Sequence, residues 1–276
     1  MALIWRSILT AILVISIGIL SGLSSAIFFA LLNFADSIRI QRDYLFLFLP
    51  IVGVGIAVVF KYFENRHLPM LPGHNYHSGT NIFLNQIENP TVIVKPDLAG
   101  LIAIGTFLTQ LCGGSTGREG AAVQIACVLS DQLKRVKTFA HIDRCSLLVV
   151  AMSSGFSAAL GAPWAGAVFG IEVLRQKKLD LFKVTVLKEN PFMIVLCSAG
   201  AWVAVMVTKV LHVPHWELPK ILPPANHNYQ IVSATVVGLS CAVLGIVFVQ
   251  MMVFWDACFK KVFGHHVQDR KAEVLF

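Results

Sequence analysis

The sequence predicts an all-helical membrane protein that crosses the bilayer several times through broken helices, and composition, window length and charge placement all point to it. Hydrophobic residues make up 56% of the 276 positions and charged residues only 13%, against about 25% charged in soluble domains. Mean hydropathy is +0.73. Six windows approach or exceed the length needed to cross about 30 Å of hydrocarbon at about 1.5 Å per helical residue. They are Ser7 to Ala35, Tyr44 to Phe60, Leu98 to Gly117, Cys145 to Ile171, Asn190 to Thr208 and Asn228 to Trp255. The net charge of +7 sits in clusters that flank these windows, which is a topology signal and argues against a nucleic-acid partner. Arg6, Lys61 with Arg66, Arg175 with Lys177, Lys178 and Lys183, and Lys260 with Lys261 place the N-terminus, the region after Phe60, the loop after Glu172 and the C-terminal tail in the cytoplasm. The group Lys134, Arg135, Lys137 and Arg144 does not fix its own side.

Taken in order, the first window carries no charge from Ser7 to Ala35; it is too long for a signal peptide's apolar region and is read as a retained span. Leu68 to Pro96 contains Pro69, Pro72, Pro90 and Pro96, which excludes one continuous helix and leaves room for a short one near Asn81 to Glu88. Gly113, Gly114, Gly117 and Gly120 then interrupt the apolar run that continues from Ala121 to Leu129. In a bilayer, broken helices survive where their freed backbone groups line a cavity or pack within protein. Pro163 is expected to start or kink a helix. The small residues Ala158, Ala159, Gly161, Ala165, Gly166 and Gly170 are expected at close helix contacts. A shift of about 220 positions lays Gly18 on Gly238, Phe28 on Phe248, Phe34 on Phe254 and Asp36 on Asp256, which fits either an inverted repeat or two apolar helices alike in composition only. On the first reading residues 1–220 form a first repeat, and 221–276 the opening helix of a second with a cytoplasmic tail.

The chemistry concentrates at Gly117-Arg118-Glu119-Gly120-Ala121. A carboxylate at membrane depth costs about 2.5 kcal/mol or more on insertion scales, so such a residue faces a watery pathway or a fixed partner. A helix starting near Gly120 leaves first-turn amides unpaired at the positive end of the peptide dipoles, which attracts anions. Glu119 is then a tethered competitor for the anion position, vacated by protonation or displacement. The plainer alternative is that the glycines serve helix packing and Glu119 pairs with Arg118. A second break at His77-Ser78-Gly79-Thr80-Asn81 offers the Ser78 hydroxyl either to an anion or simply as a helix cap.

Gly117-Arg118-Glu119-Gly120-Ala121-Ala122-Val123-Gln124-Ile125, followed by the small-residue run Ser154 to Gly161 and Ala162-Pro163-Trp164-Ala165-Gly166 through Glu172, resembles the CLC family of chloride channels and chloride/proton antiporters. The resemblance implies a gating role for Glu119 and an outer anion site at the Arg118, Gly120 and Ala121 backbone beside Gly117. It implies a central anion ligand at Ser78, next to Gly79, although only Ser and the following Gly match there. Ala121 stands where the family usually has proline. Val173 occupies the position of the antiporters' proton-relaying glutamate; valine exchanges no protons, so the resemblance favours passive conduction. Also implied are a homodimer with one pathway per subunit and residence in the cell membrane. The family's second half, with its Gly-x-Phe-x-Pro loop and late tyrosine, has no counterpart before Phe276, so the sequence reads as truncated.

The function expected is therefore movement of chloride or a similar monovalent anion across a lipid bilayer, without a cofactor. The rivals are a chloride/proton or fluoride/proton antiporter and a non-conducting fragment that needs a second half. The chain has no Walker lysine and no His-Glu-x-x-His, which argues against an enzyme. His74 with His77, His212 with His215 and His265 with His266 lack further ligands at metal-binding spacing. Cys112, Cys127, Cys145, Cys197, Cys241 and Cys258 form no Cys-x-x-Cys pair and are expected as buried free thiols. Trp202, Trp216 and Trp255 fit interfacial anchoring.

Overall fold

The computed structural model describes residues 2–67, 81–88, 93–139, 142–176, 191–213 and 227–273. The described residues are helical, with short 3-10 turns and no strand. They fall into two compact units, Met1–Trp216 and Glu217–Phe276.

In the first unit the helices are α1 (Ala2–Ile40), α2 (Leu49–His67), α3 (Asn81–Glu88), α4 (Asp97–Leu111), α5 (Arg118–Asp131), α6 (Arg144–Leu160), α7 (Pro163–Gln176) and α8 (Pro191–Val210). A 3-10 turn, Asp43–Phe48, leads into α2. The core is built around α6, which packs against α5, α7, α8 and α1. Leu148, Val149, Ala151, Met152, Ser153 and Ser154 are fully buried. A helix enclosed on all sides must be apolar or small on all sides, and this one is. Two glycines set the spacing between α1 and α8. A Cβ on Gly18 would lie 2.7 Å from the Val203 side chain, and one on Gly22 would lie 2.7 Å from the Ala204 carbonyl oxygen. Small residues that let backbones approach are the usual device of membrane helix pairs.

Two of the apolar windows do not form single rods. Cys145 to Ile171 divides because α6 ends at Gly161, in the left-handed region (φ 69°), whose N–H donates to the Ser157 carbonyl at 2.8 Å. Pro163 then opens α7, as its fixed φ and missing N–H favour. Leu98 to Gly117 shortens to α4 because Gly113 turns the chain (φ 80°) and the Gly114 N–H folds back onto the Thr109 carbonyl at 2.8 Å. Among the described residues, Ser7–Ile40, Tyr44–Phe63, Phe192–Val210 and Tyr229–Trp255 are long and apolar enough to cross a membrane. The protein is integral and multi-pass.

Several local expectations need correction. Gly166 and Gly170 sit at close helix contacts, but Gly161 is a helix cap and Ala165 is exposed. Arg144, read in sequence as one of a group of topology charges, is buried. All six cysteines are free; Cys112, Cys127 and Cys197 are buried, Cys145 and Cys258 partly so, and Cys241 is exposed. Trp216 lies outside the described residues, as do His74, His77 and His215.

The second unit contributes α9 (His227–Glu273). It continues well past the window predicted to end at Trp255, because Asp256 to Glu273 contains neither glycine cap nor proline except for Gly264.

Candidate functional site at the start of α5

α5 begins at Arg118, two residues before the expected start at Gly120. Gly117 is the N-cap, in extended conformation (φ −69°, ψ 101°), and has no side chain with which to cap the helix. The Gly117 carbonyl accepts from the Ala121 N–H at 3.3 Å, so the amides of Glu119 and Gly120 precede the helix's own ladder. Neither has an acceptor among the described residues.

The glycines divide by role. Gly113 takes a positive φ. At Gly114 a Cβ would lie 2.6 Å from the Thr109 methyl, so close packing requires glycine there. At Gly117 and Gly120 a Cβ would meet nothing within 4 Å. Packing therefore does not demand glycine at these two positions, contrary to the plainer reading of the sequence.

The open space beside them is a crevice of about 440 Å³ between α2, α4 and the first turns of α5. Ile56, Ala57 and Phe60 give it an apolar wall, while Thr106, Thr109, Thr116 and Gln124 supply polar groups next to Gly117, Gly120 and Ala121. The Thr109 hydroxyl is satisfied by the Gly105 carbonyl at 2.8 Å. Thr106 is 8% exposed and lines the crevice. The Thr116 hydroxyl is buried without a partner. An unpaired buried hydroxyl is costly, and beside the unpaired amides it makes this pocket donor-rich. Sequence reasoning missed both threonines, because neither a lone Thr in an apolar helix (Thr106) nor one in a glycine-rich turn (Thr116) carries a spacing signal.

Arg118 does not match the paired alternative either: its guanidinium stands over the Phe29 ring at 5.7 Å from the centroid, within cation–π range. Glu119 is partly buried and has no ion pair or hydrogen bond among the described residues. Val173 is 5% exposed and belongs to the apolar core, whereas the adjacent Glu172 is exposed. Ser78 and Gly79 lie outside the described residues, although α3 starts at Asn81 as expected. Among the described residues no group of three or more His, Cys, Asp or Glu side chains is arranged to hold a metal.

Several spans and a helix interrupted at a glycine-lined, amide-rich end define a multi-pass membrane protein with broken helices. More specifically, the profile of the family described as voltage gated chloride channel matches residues 69–273, and the chain belongs to that family, the CLC channels and transporters. It is 34% identical over 158 residues to a "chloride/fluoride channel protein" of Pseudomonas syringae pv. tomato, covering 57% of this chain and 33% of that protein. The crystal structure of a CLC-type fluoride/proton antiporter shares the fold, with a TM-score of 0.69 and 23% identity over 92% of this chain and 60% of that one. The chain thus spans a third of the curated relative and less than two thirds of the solved structure.

Proposed function

We propose that this chain supplies the first repeat (residues 1–220) and the opening of the second (221–276) of a CLC-type anion channel in the cell membrane, acting as a homodimer. The observation that carries the proposal is the end of α5: unpaired amides of Glu119 and Gly120, two glycines facing open space, and an acidic first-turn residue with no described partner. Backbone amides bind a halide without a full positive charge that would hold it too tightly. In this reading Gly117, Arg118, Gly120 and Ala121 present the backbone site, with Ser78 and Gly79 contributing a second one. Glu119 competes with the anion when ionised and yields when protonated or displaced.

Val173 supports passive conduction over proton-coupled exchange, because a buried valine holds no proton at the relay position. The likeness to the Pseudomonas chloride/fluoride channel protein supports a halide and a channel. Chloride efflux from vesicles containing the reconstituted chain tests the proposal. Glu119→Ala should remove the pH dependence of flux, and flux with unaltered pH dependence would refute the gate. A fixed ratio of protons to halide would establish exchange instead. Wild-type vesicles that retain their chloride and fluoride would favour a fragment that needs a second half.

A further inference from the structure

The most heavily bonded cluster of buried polar side chains lies at the opposite end of α5. Asp131, the last residue of that helix, is fully buried. Its Oδ1 accepts from Arg144 Nε at 2.8 Å, and its Oδ2 accepts from Arg144 Nη2 at 2.7 Å and from the Val94 N–H at 2.8 Å. Arg144 Nη1 donates to Gln86 Oε1 at 2.8 Å. Gln132 Nε2 closes the group by donating to the Val94 and Val128 carbonyls at 2.6 and 3.0 Å. Four pieces of chain, α3, the segment around Val94, α5 and α6, are joined at one point.

A buried ion pair is weak evidence for stability, since well-packed apolar side chains often replace one at little net cost. What a two-bonded guanidinium–carboxylate pair does provide is a single planar geometry. Apolar contacts between α5 and α6 tolerate small slides and rotations; this fork does not. α5 is one unbroken helix from Arg118 to Asp131, so a setting fixed at Asp131 is transmitted to Glu119, about 18 Å away at 1.5 Å per residue.

We infer that Asp131, Arg144 and Gln86 are positioning residues: their clamp holds α5 in one axial and rotational setting against α3 and α6, and so fixes the amide end that carries Glu119. The prediction for flux rests on the anion-channel reading, whereas the prediction for local order does not.

The decisive variant is the apolar triple Gln86→Leu/Asp131→Leu/Arg144→Met, compared with the wild-type chain in lipid vesicles. The triple should fold, with its unfolding midpoint lowered only modestly by the Val94 N–H that loses its acceptor. Hydrogen exchange should rise at least about tenfold at amides of α3 and at the hydrogen-bonded amides of α5 from Ala121 to Gln124, and stay unchanged in α1 and α8. The chloride concentration giving half-maximal flux should rise by about tenfold, with maximal flux little altered. An equal rise in exchange across all helices would reduce the cluster to a general stabiliser and overturn the inference. Unchanged exchange in α3 and α5 would overturn it as well. If the triple fails to fold, Gln86→Leu alone decides, because it leaves the Asp131–Arg144 pair and removes the acceptor through which α3 holds Arg144; faster exchange in α3 with α1 and α8 unchanged supports the clamp and no change refutes it. Should the wild-type chain pass no halide, the channel reading fails and the exchange measurement still tests the clamp.

Discussion

Gly155 offers a clean test of how closely α5 and α6 must approach. A Cβ at this position would lie 2.7 Å from the Ala126 Cβ and 3.1 Å from the Val123 Cα. Carbon atoms are at optimal contact near 3.5 to 4.0 Å, so Gly155→Ala forces the helices apart by about 1 Å. Neither obstacle is the flexible tip of a side chain, and rotation cannot relieve the clash. Overpacking of this kind costs about 1 to 3 kcal/mol. Alanine also favours a helix over glycine by about 1 kcal/mol, which would mask part of the effect. Gly100 in α4 removes that ambiguity, because a Cβ there meets nothing within 4 Å. With the propensity gain common to both, Gly155→Ala should be less stable than Gly100→Ala by about 1 to 3 kcal/mol. The assay is denaturant unfolding of the two variants in the same mixed micelles. Equal stability, or a more stable Gly155→Ala, would show that α5 and α6 are not in the contact described.

Arg144→Met alone should destabilise by about 3 to 5 kcal/mol in the same assay, because it strands the buried Asp131 carboxylate. Thr106→Val replaces a hydroxyl on the crevice wall by a methyl of similar size, so it should change unfolding stability by no more than about 1 kcal/mol; if the crevice serves the anion, half-saturating chloride should increase in flux measurements. Asp143→Ala should cost about 1 kcal/mol in unfolding experiments, since its carboxylate caps α6 by accepting from the Ser146 N–H at 3.0 Å. Gly22→Val should disrupt the α1–α8 contact, seen as a lowered unfolding midpoint, because a Cβ there already lies 2.7 Å from the Ala204 carbonyl oxygen.

Much of the fold was legible because its signals are local. Apolar length marked α1, α2, α8 and the start of α9, and prolines confined α3 to Asn81–Glu88. Glycines marked the break before α5, where the peptide dipole and Glu119 made an anion site the natural reading. The same local signals misplaced boundaries. The sequence window from Cys145 ran through Gly161, whose left-handed φ is set only once α6 has packed. The window from Leu98 ran through Gly113, which turns the chain back so that the Gly114 amide reaches Thr109.

Sequence by itself determined that this chain belongs in a bilayer, that some of its helices are broken, and that a carboxylate stands at the glycine-rich break, because hydropathy, proline and glycine act over a few residues. Tertiary structure decided which glycines pack and which face open space, that Thr106 and Thr116 join the amide end of α5, and that Arg144 is a buried partner of Asp131 rather than a surface charge. Arg144 lies 13 residues from Asp131 and 58 from Gln86. No periodic pattern encodes such a meeting; it arises when packed helices bring donors and acceptors together and exclude the water that would otherwise satisfy them.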